Sequence, residues 1–330
     1  MVRFGVVGTN WITDAFIKGA SVVGDFKLNA VYSRNREKAK EFALKHEVSE
    51  GNTFTNLEDM AKSNLIDAVY IASPNSLHSR QSILFLENKK HVICEKPIAS
   101  NSRELKDMIK ASKENNRLLM EAMKTSFLPN FKAIGDNLYK IGKVRRYYAS
   151  YCQYSSRYDA YKEGKLPNIF NKEFSAGALM DLGVYCVHPL VQLFGKPNSI
   201  RANSLLLDSG VDGEGSILLS YDDMDGVIMY SKVCQSYLPS EIQGEKGSIV
   251  IDKIGEIENV KIVYKNGETE DITVPQIKEN MYYEAKEFIE LINRGETESK
   301  VNSFEIGLMA MEIMDEARNQ TGVKFPADES

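Results

Sequence analysis

A lysine two residues after a short apolar run is the first residue whose type and position point to chemistry. The run ends at Cys94 and is followed by Glu95, Lys96 and Pro97. Ligands of open α/β sheets bind at the carboxyl ends of the strands, so this position is suited to a catalytic group. Burial and a neighbouring cation lower the pKa of a lysine, which suits proton transfer. A lysine at a strand end is also commonly a surface residue, and that alternative stays open here.

A second set of chemical groups is spaced for one face of a helix. Asp181, Tyr185 and His188 lie at i, i+4 and i+7. A stripe of carboxylate, phenol and imidazole is not a core pattern and can exchange protons with a bound hydroxyl. The alternative is a partly buried polar face that contacts another domain. Pro189 cannot donate to the carbonyl of Tyr185, so we expect the helix to kink or restart there.

The turn after the first apolar run, residues 2–7, has part of a phosphate-binding pattern. The usual dinucleotide fingerprint is G-x-G-x-x-G, and here Gly8 matches while Asn10 and Thr13 occupy the other two glycine positions. Asparagine tolerates left-handed backbone angles, so the turn remains feasible. A simple strand–turn–helix connection is the alternative. The cofactor-binding residues predicted here are Gly8, Thr9, Asn10, Trp11 and Ile12.

The next strand end bears on cofactor choice. NAD enzymes place an acid there to hold the ribose hydroxyls, whereas residues 32–36 contain none. Ser33 can hydrogen-bond a 2′-phosphate and Arg34 can pair with it or stack on adenine. We therefore expect NADP to be preferred, with NAD as the alternative. A solvated charged turn that binds no cofactor would also explain these residues.

The elements that must position these residues differ between the two halves of the chain. Over the first ~120 residues, β-branched runs alternate with helical patterns, typical of a doubly wound parallel sheet of the Rossmann type. Predicted strands there are 2–7, 28–32, 53–54, 68–72, 91–94 and 118–122, and the main helices are 12–23, 37–46, 76–87 and 102–115.

The second half predicts an α+β domain with a large, mostly antiparallel open sheet. Its predicted strands are 144–154, 216–221, 227–234, 249–251 and 260–264, with a hairpin turn at 265–267, and its helices are 176–194, 281–294 and 304–320. We expect the helices near 176–194 and 281–294 to cover one face of this sheet. The predicted domains are 1–122 for dinucleotide binding and 123–330 for substrate binding and oligomerisation.

Composition excludes several classes of protein. A net charge of −5 argues against nucleic-acid binding, which normally needs a basic surface. The four cysteines, at 94, 152, 186 and 234, have no metal-ligand spacing, so no metal site is predicted and reduced thiols are expected. No signal-peptide pattern and no apolar run of membrane-spanning length is evident, so a cytoplasmic protein without a membrane partner is expected.

These motifs together resemble the glucose-fructose oxidoreductase / inositol dehydrogenase (Gfo/Idh/MocA) family over essentially the whole chain. Glu95-Lys96-Pro97 matches its E-K-P motif, and 177–185 is similar to its G-G-x-L-x-D-x-G-x-[HY] segment. Ser73-Pro74-Asn75 with His78 resembles its T-P-N-x-x-H loop beside the nicotinamide. The tyrosine form of the second motif is most similar to the dihydrodiol dehydrogenase and glucose-fructose oxidoreductase group. Asn10 and Ser126 depart from the family pattern.

The resemblance implies roles for residues at the matching positions. Lys96, Asp181 and Tyr185 are implied as the catalytic and substrate-contacting group, with His188 as a further substrate contact or a structural residue. Added cofactor-binding residues are implied at Ser73, Pro74, Asn75, His78, Glu95 and Lys96. The predicted reaction is NAD(P)-dependent hydride exchange with a carbinol or carbonyl carbon of a sugar, cyclitol or diol.

Other readings of the fold stay open. One is a non-catalytic NAD(P)-binding regulator, since a fold can be kept while activity is lost. Another is a reductase of an imine or an enal, and a third is a structural scaffold. Family members usually pair through the open sheet face, and the tyrosine-rich strand 147–154 indicates that this face is not fully solvated. A homodimer or homotetramer is therefore expected.

Overall fold

A computed structural model describes residues 1–329 of the chain. These residues form two compact units. The first contains Met1–Lys124 and Ile277–Phe304, and the second contains Thr125–Gln276 and the C-terminal segment from Glu305. The predicted division after residue 122 falls close to the first crossing between the units. Its assignment of 277–304 to the second domain is wrong.

The first unit is built on a six-stranded parallel sheet. Its order is β3-β2-β1-β4-β5-β6, the order of a complete dinucleotide-binding fold, as predicted. The strands are β1 Val2–Val7, β2 Phe26–Tyr32, β3 Thr53–Phe54, β4 Ala68–Ile71, β5 His91–Glu95 and β6 Leu119–Ala122. β4 and β6 are buried along their whole length because helices cover both faces, which explains their continuous apolar runs.

Asparagines begin four of the crossover helices of this unit. The helices are α1 Trp11–Ser21, α2 Arg36–Lys45, α3 Leu57–Lys62, α4 His78–Glu87 and α5 Ser102–Asn115. The side chains of Asn10, Asn35, Asn56 and Asn101 accept backbone N–H groups from the first turns of α1, α2, α3 and α5. Such caps satisfy donors that the helix itself leaves unpaired, which explains why these helices begin where they do.

A helix from late in the chain completes the first unit. α9, Tyr282–Arg294, packs against α1, where a side chain at Gly19 would approach the backbone nitrogen of Tyr282 to 2.6 Å. Phe288 packs on Phe4 with ring centroids 5.8 Å apart. The prediction that helix 281–294 covers the second sheet is therefore wrong, because its apolar face is buried against the parallel sheet.

The second unit contains an eight-stranded sheet of order β14-β13-β12-β11-β7-β10-β9-β8. Its strands are β7 Val144–Cys152, β8 Ser199–Leu206, β9 Asp212–Ser220, β10 Asp225–Ser231, β11 Ser240–Gly244, β12 Gly247–Ile251, β13 Val260–Tyr264 and β14 Thr269–Asp271. The pairing of β7 with β10 is parallel and the other pairings are antiparallel, as the mostly antiparallel prediction requires. The predicted hairpin turn connects β13 and β14.

Four α-helices and a π-helical turn accompany this sheet in the described residues. The α-helices are α6 Pro129–Asn137, α7 Tyr158–Lys162, α8 Val184–Phe194 and α10 Phe304–Thr321, and the π turn is Leu179–Gly183. α8 lies on the sheet, where the hydroxyl of Tyr147 on β7 donates to the carbonyl of Cys186 at 2.9 Å. Pro189 lies inside α8, so the helix does not restart there, and the π turn precedes the helix.

One segment of the second unit resembles a membrane span by length and composition. Residues Lys172–Phe194 satisfy both measures. The prediction that no apolar run has membrane-spanning length is therefore wrong. In the folded chain, 83% of the most apolar stretch of this segment is buried inside the protein. It is therefore a core segment of the second unit.

Candidate active site

The loop after β1 has the tight geometry that a phosphate cradle needs. Gly8 has a φ of +110°, and a Cβ there would lie 2.7 Å from the carbonyl oxygen of Ala72 after β4. Only glycine lets the ends of β1 and β4 approach this closely. These two strands flank the point where strand order reverses, which is where dinucleotides bind in this fold.

Asn10 plays a different part from the one its left-handed tolerance predicted. Its backbone is extended, with φ −102° and ψ 177°. The side-chain oxygen accepts the N–H groups of Ile12 and Thr13 at 3.2 Å, and the side-chain nitrogen donates to Ala72 at 3.1 Å. Asn10 therefore caps α1 and connects the loop to β4. Trp11 beside it is 76% exposed.

The end of β2 presents a hydroxyl and exposed cations. Ser33 is half-buried, and Arg34 and Arg36 are exposed. Asn35 caps α2 by accepting the N–H of Lys38 at 3.0 Å. Because no acid occupies residues 32–36, cations and a hydroxyl are the groups presented there. The glycine cradle at Gly8 and the strand end beside it fit a dinucleotide cofactor.

His78 joins two loops at the carboxyl edge of the first sheet. It is fully buried, with Nε2 at 2.8 Å from the carbonyl of Ser73 and Nδ1 at 2.9 Å from that of Pro97. Burial is the main cause that lowers the pKa of His78, and the charge of Lys96 lowers it further. His78 therefore fixes the loops after β4 and β5. Gln81 accepts the hydroxyl of Ser73 at 2.7 Å in the same region.

The glutamate before the candidate lysine is buried at the end of β5. Glu95 is buried and accepts a hydrogen bond from the hydroxyl of Tyr70. The ring of Tyr70 stacks on Phe16 with centroids 3.9 Å apart. Burial raises the pKa of Glu95, while the charge of Lys96 opposes the rise. Lys96 itself is half-buried at the end of β5.

Two further acids of the first unit lie near this segment, and sequence reasoning did not single them out. Glu121, the residue before the last of β6, accepts the N–H of Ile98 at 3.0 Å, and burial raises its pKa to about 7. Glu284 of α9 is fully buried, and burial followed by the charge of Glu95 raises its pKa well above the ordinary value. The position of Glu284 has no sequence signal, because it depends on packing of a helix distant in the chain.

The second motif occupies a turn held by an aspartate on β9. Gly177 has a φ of +133° and lies against the carboxylate of Asp212, which leaves no room for a side chain. The N–H of Leu179 donates to Asp212 at 2.7 Å. Burial raises the pKa of Asp212 to about 6. Asp212 thus anchors the π turn that contains Asp181.

Asp181 has a buried cationic partner. The ammonium of Lys232 contacts Asp181 Oδ2, and the two side chains are 6% and 38% exposed respectively. Lys232 follows β10 directly, 51 residues away in sequence. Sequence reasoning missed Lys232 because a single lysine among polar residues has no pattern of its own.

The other two residues of the helical stripe have different surroundings. Tyr185 is half-buried, and its ring lies 5.6 Å from that of Tyr151 at the end of β7. His188 is fully buried, with Nδ1 at 3.3 Å from the hydroxyl of Ser126. Asp181 and Tyr185 are both partly exposed, whereas His188 is a core residue.

Comparison with known proteins shows which family has this fold and these motifs. Residues 2–123 match the model of an oxidoreductase family with an NAD-binding Rossmann fold, and residues 139–250 match the Gfo/Idh/MocA C-terminal domain. The chain is 54% identical to scyllo-inositol 2-dehydrogenase (NADP(+)) IolU of Bacillus subtilis over 100% of both chains. It is 32% identical to trans-1,2-dihydrobenzene-1,2-diol dehydrogenase of Xenopus laevis, over 98% of this chain and 99% of the relative.

A solved structure agrees at the level of fold. The 3-ketoreductase KijD10 of Actinomadura kijaniata superposes with a TM-score of 0.86 at 20% identity, over 97% of this chain and 98% of the other. The full-length similarity to the Bacillus subtilis enzyme and the matches of both domain models confirm the resemblance inferred from the motifs. The chain is an NAD(P)-binding oxidoreductase and belongs to the Gfo/Idh/MocA family.

Proposed function

We propose that this oxidoreductase uses NADP to oxidise a ring carbinol of a cyclic polyol, with scyllo-inositol as the first substrate to test. The observation that carries the proposal is the anchored turn that contains Asp181, followed directly by the helix of Tyr185. Lys96, at the end of a buried strand of the first unit, is the cation that we assign to the same reaction. Such groups suit proton exchange with a substrate hydroxyl. The relative with 54% identity is named for this substrate and this cofactor, which supports the choice.

The cofactor preference rests on the turn after β2. Arg34 and Arg36 offer exposed charges and Ser33 offers a hydroxyl for a 2′-phosphate. The loop after β1, with Gly8 at its tightest point, would hold the pyrophosphate, while Ser73, Pro74 and Asn75 would lie beside the nicotinamide. Bound NADP would supply the acceptor for the hydride.

The protein's own part in the reaction is proton handling and placement. Tyr185, as phenolate, takes up the proton of the substrate hydroxyl during oxidation and returns it during reduction. Lys96, as ammonium, favours the phenolate and stabilises the negative charge that develops on the substrate oxygen. Asp181 orients the substrate hydroxyl beside Tyr185. Ser126 and His188, which pair with each other, support the turn from the core.

Paired titrations with NADPH and NADH, followed by turnover with scyllo-inositol and NADP, test this function. We expect tighter binding of NADPH, and Arg34→Ala should weaken NADPH binding roughly 10- to 100-fold while leaving NADH unchanged, because only NADPH has the extra phosphate. Lys27→Ala, an exposed cation at the opposite end of β2, is the matched control. Tighter NADH binding, or no turnover of cyclitols or cyclic diols with either cofactor, would contradict the proposal.

We also propose a homodimer or homotetramer that pairs through the open face of the second sheet. Leu205, Leu218 and Met229 of β8, β9 and β10 are 51%, 56% and 42% exposed, an unusual apolar content for a solvated sheet face. Light scattering at micromolar concentration should give at least twice the chain mass of 37.1 kDa. Leu218→Glu should shift the mass towards the monomer, whereas a monomeric wild type would contradict the proposal.

A cytoplasmic location is part of the same proposal. The four cysteines Cys94, Cys152, Cys186 and Cys234 form no disulfide in the described residues, and the first three are buried. Unpaired thiols are the usual state in a reducing compartment. Cell fractionation that found the protein in an exported fraction would contradict this location.

A further inference from the structure

Lys232 occupies a special position in the second sheet. In the described part of the chain, β7 and β10 are the one parallel pair of that sheet, with Cys152 opposite Ser231 at their carboxyl ends. Lys232 comes next, and its backbone is fixed on both sides. Its N–H donates to Gly213 at 2.8 Å and its carbonyl accepts the N–H of Ser155 at 2.9 Å. The start of its side chain is therefore placed rigidly at this sheet edge.

The lysine is buried more deeply than the aspartate that it contacts. The Lys232 side chain is 6% exposed, whereas that of Asp181 is 38% exposed. A buried ammonium is costly unless a carboxylate neutralises it, and here Asp181 Oδ2 does so. The acid opposite on β9, Glu214, instead accepts the hydroxyl of Ser231 at 3.3 Å. The buried ammonium of Lys232 thus holds the Asp181 carboxylate, while the Asp181 side chain remains partly exposed.

Asp181 is also held through its backbone. Its N–H donates to the carbonyl of Gly177 at 3.2 Å, within the turn that Asp212 anchors through Leu179. The turn fixes where the carboxylate begins, and Lys232 contacts one of its oxygens. Both constraints come from strand ends of the same sheet, so the orientation of the carboxylate is set before any substrate binds.

We propose that Lys232 is a positioning residue for the reaction, which keeps Asp181 ionised and orients its carboxylate towards a substrate hydroxyl. The inference rests on the proposed function, because it requires Asp181 to act on substrate. Lys232 acts through Asp181 and has no contact of its own with the reacting atoms in this scheme. Loss of the ammonium should therefore impair turnover only while the aspartate is present.

A double-mutant cycle tests this on the full-length protein with NADP and scyllo-inositol. Lys232→Met should lower kcat roughly 10- to 100-fold with a smaller change in KM, since the substrate still binds but its hydroxyl is poorly oriented. Lys232→Arg should restore most of kcat because it keeps the charge. In the Asp181→Asn background, Lys232→Met should have almost no further effect on kcat. Lys196→Met, which breaks the exposed pair with Glu312 in the same unit, is the control and should remain at wild-type kcat.

The outcomes separate this inference from the proposed function. An impaired Asp181→Asn together with a wild-type kcat in Lys232→Met would overturn the role of Lys232 alone. An undiminished effect of Lys232→Met in the Asp181→Asn background would do the same. Wild-type turnover of Asp181→Asn would overturn the proposed mechanism and the role of Lys232 with it. If Lys232→Met does not fold, Lys232→Gln takes its place, and its loss of kcat must disappear in the Asp181→Asn background.

Discussion

Two carboxyl groups, one in each unit, have opposite surroundings. Glu284 of the first unit is fully buried, and in the described residues neither of its oxygens has a hydrogen-bond partner. Asp181 of the second unit contacts the buried ammonium of Lys232. Burial raises the pKa of Glu284 well above its ordinary value and so favours its protonated form. A neighbouring cation instead favours the charged form of an aspartate.

Burial and ion pairing have opposite effects on the ionisation of the carboxyl groups in the two units. Around the E-K-P segment, burial raises the pKa values of Glu95, Glu121 and Glu284. The second unit supplies a fixed carboxylate at Asp181 because a cation is buried with it. Burial thus opposes ionisation of the acids of the first unit, whereas the contact with Lys232 favours the charged form of Asp181 in the second.

We expect kcat to fall most when Lys96, the cation at the end of β5, is replaced. Lys96→Ala should lower kcat at least about 1000-fold, because no other group would then stabilise the phenolate and the developing oxyanion. The affinity for NADPH, measured by nicotinamide fluorescence, should stay within about threefold of the wild-type value if most of the binding energy comes from the phosphates. Lys110→Ala, an exposed lysine of α5, is the control. Wild-type turnover in Lys96→Ala would remove Lys96 from the mechanism.

A smaller effect should appear in the pH dependence of stability. The pKa of Glu121 rises from 4.5 to about 7 on folding, so above about pH 4.5 the folded state keeps a proton that the unfolded state has lost. The free energy of unfolding should therefore fall as pH rises towards 7, and this group should account for about 3 kcal/mol of the loss. Urea unfolding of Glu121→Gln across this range should show a flatter profile.

Glu58→Gln serves as the control for that measurement, because Glu58 is an exposed glutamate of the same unit. It should keep the wild-type slope of stability against pH. An equal slope in Glu121→Gln and in the wild type would mean that Glu121 ionises in the folded protein much as it does in water.

The smallest expected effect concerns the acid without a hydrogen-bond partner. Glu284→Met, a neutral side chain of similar length, should raise the free energy of unfolding at pH 7 by about 1–3 kcal/mol, because it removes an unsatisfied buried carboxyl. Thermal and urea unfolding measure the change. A destabilised Glu284→Met would show that the carboxyl is satisfied in the folded protein, and would remove the contrast with Asp181.

Local patterns account for much of what was predicted. The six parallel strands, the hairpin of β13 and β14, and helix α5 follow from apolar runs, turn residues and caps that lie within a few residues of each other. The same holds for the motif around Lys96, because a strand end followed by Glu-Lys-Pro is contiguous in the chain. Short-range signals of this kind do not depend on the rest of the fold.

The amino-acid sequence was thus sufficient to predict the two kinds of sheet, the family, the strand-end position of Lys96 and the helical position of Tyr185, but not the π turn that holds Asp181. Tertiary structure alone decided that α9 joins the first unit and buries Glu284, that His188 is a core residue, and that Lys232 meets Asp181. These contacts join residues far apart in the chain, 51 positions in the last case. Strand register and helix packing set such contacts, and neither has a local pattern from which it could be predicted.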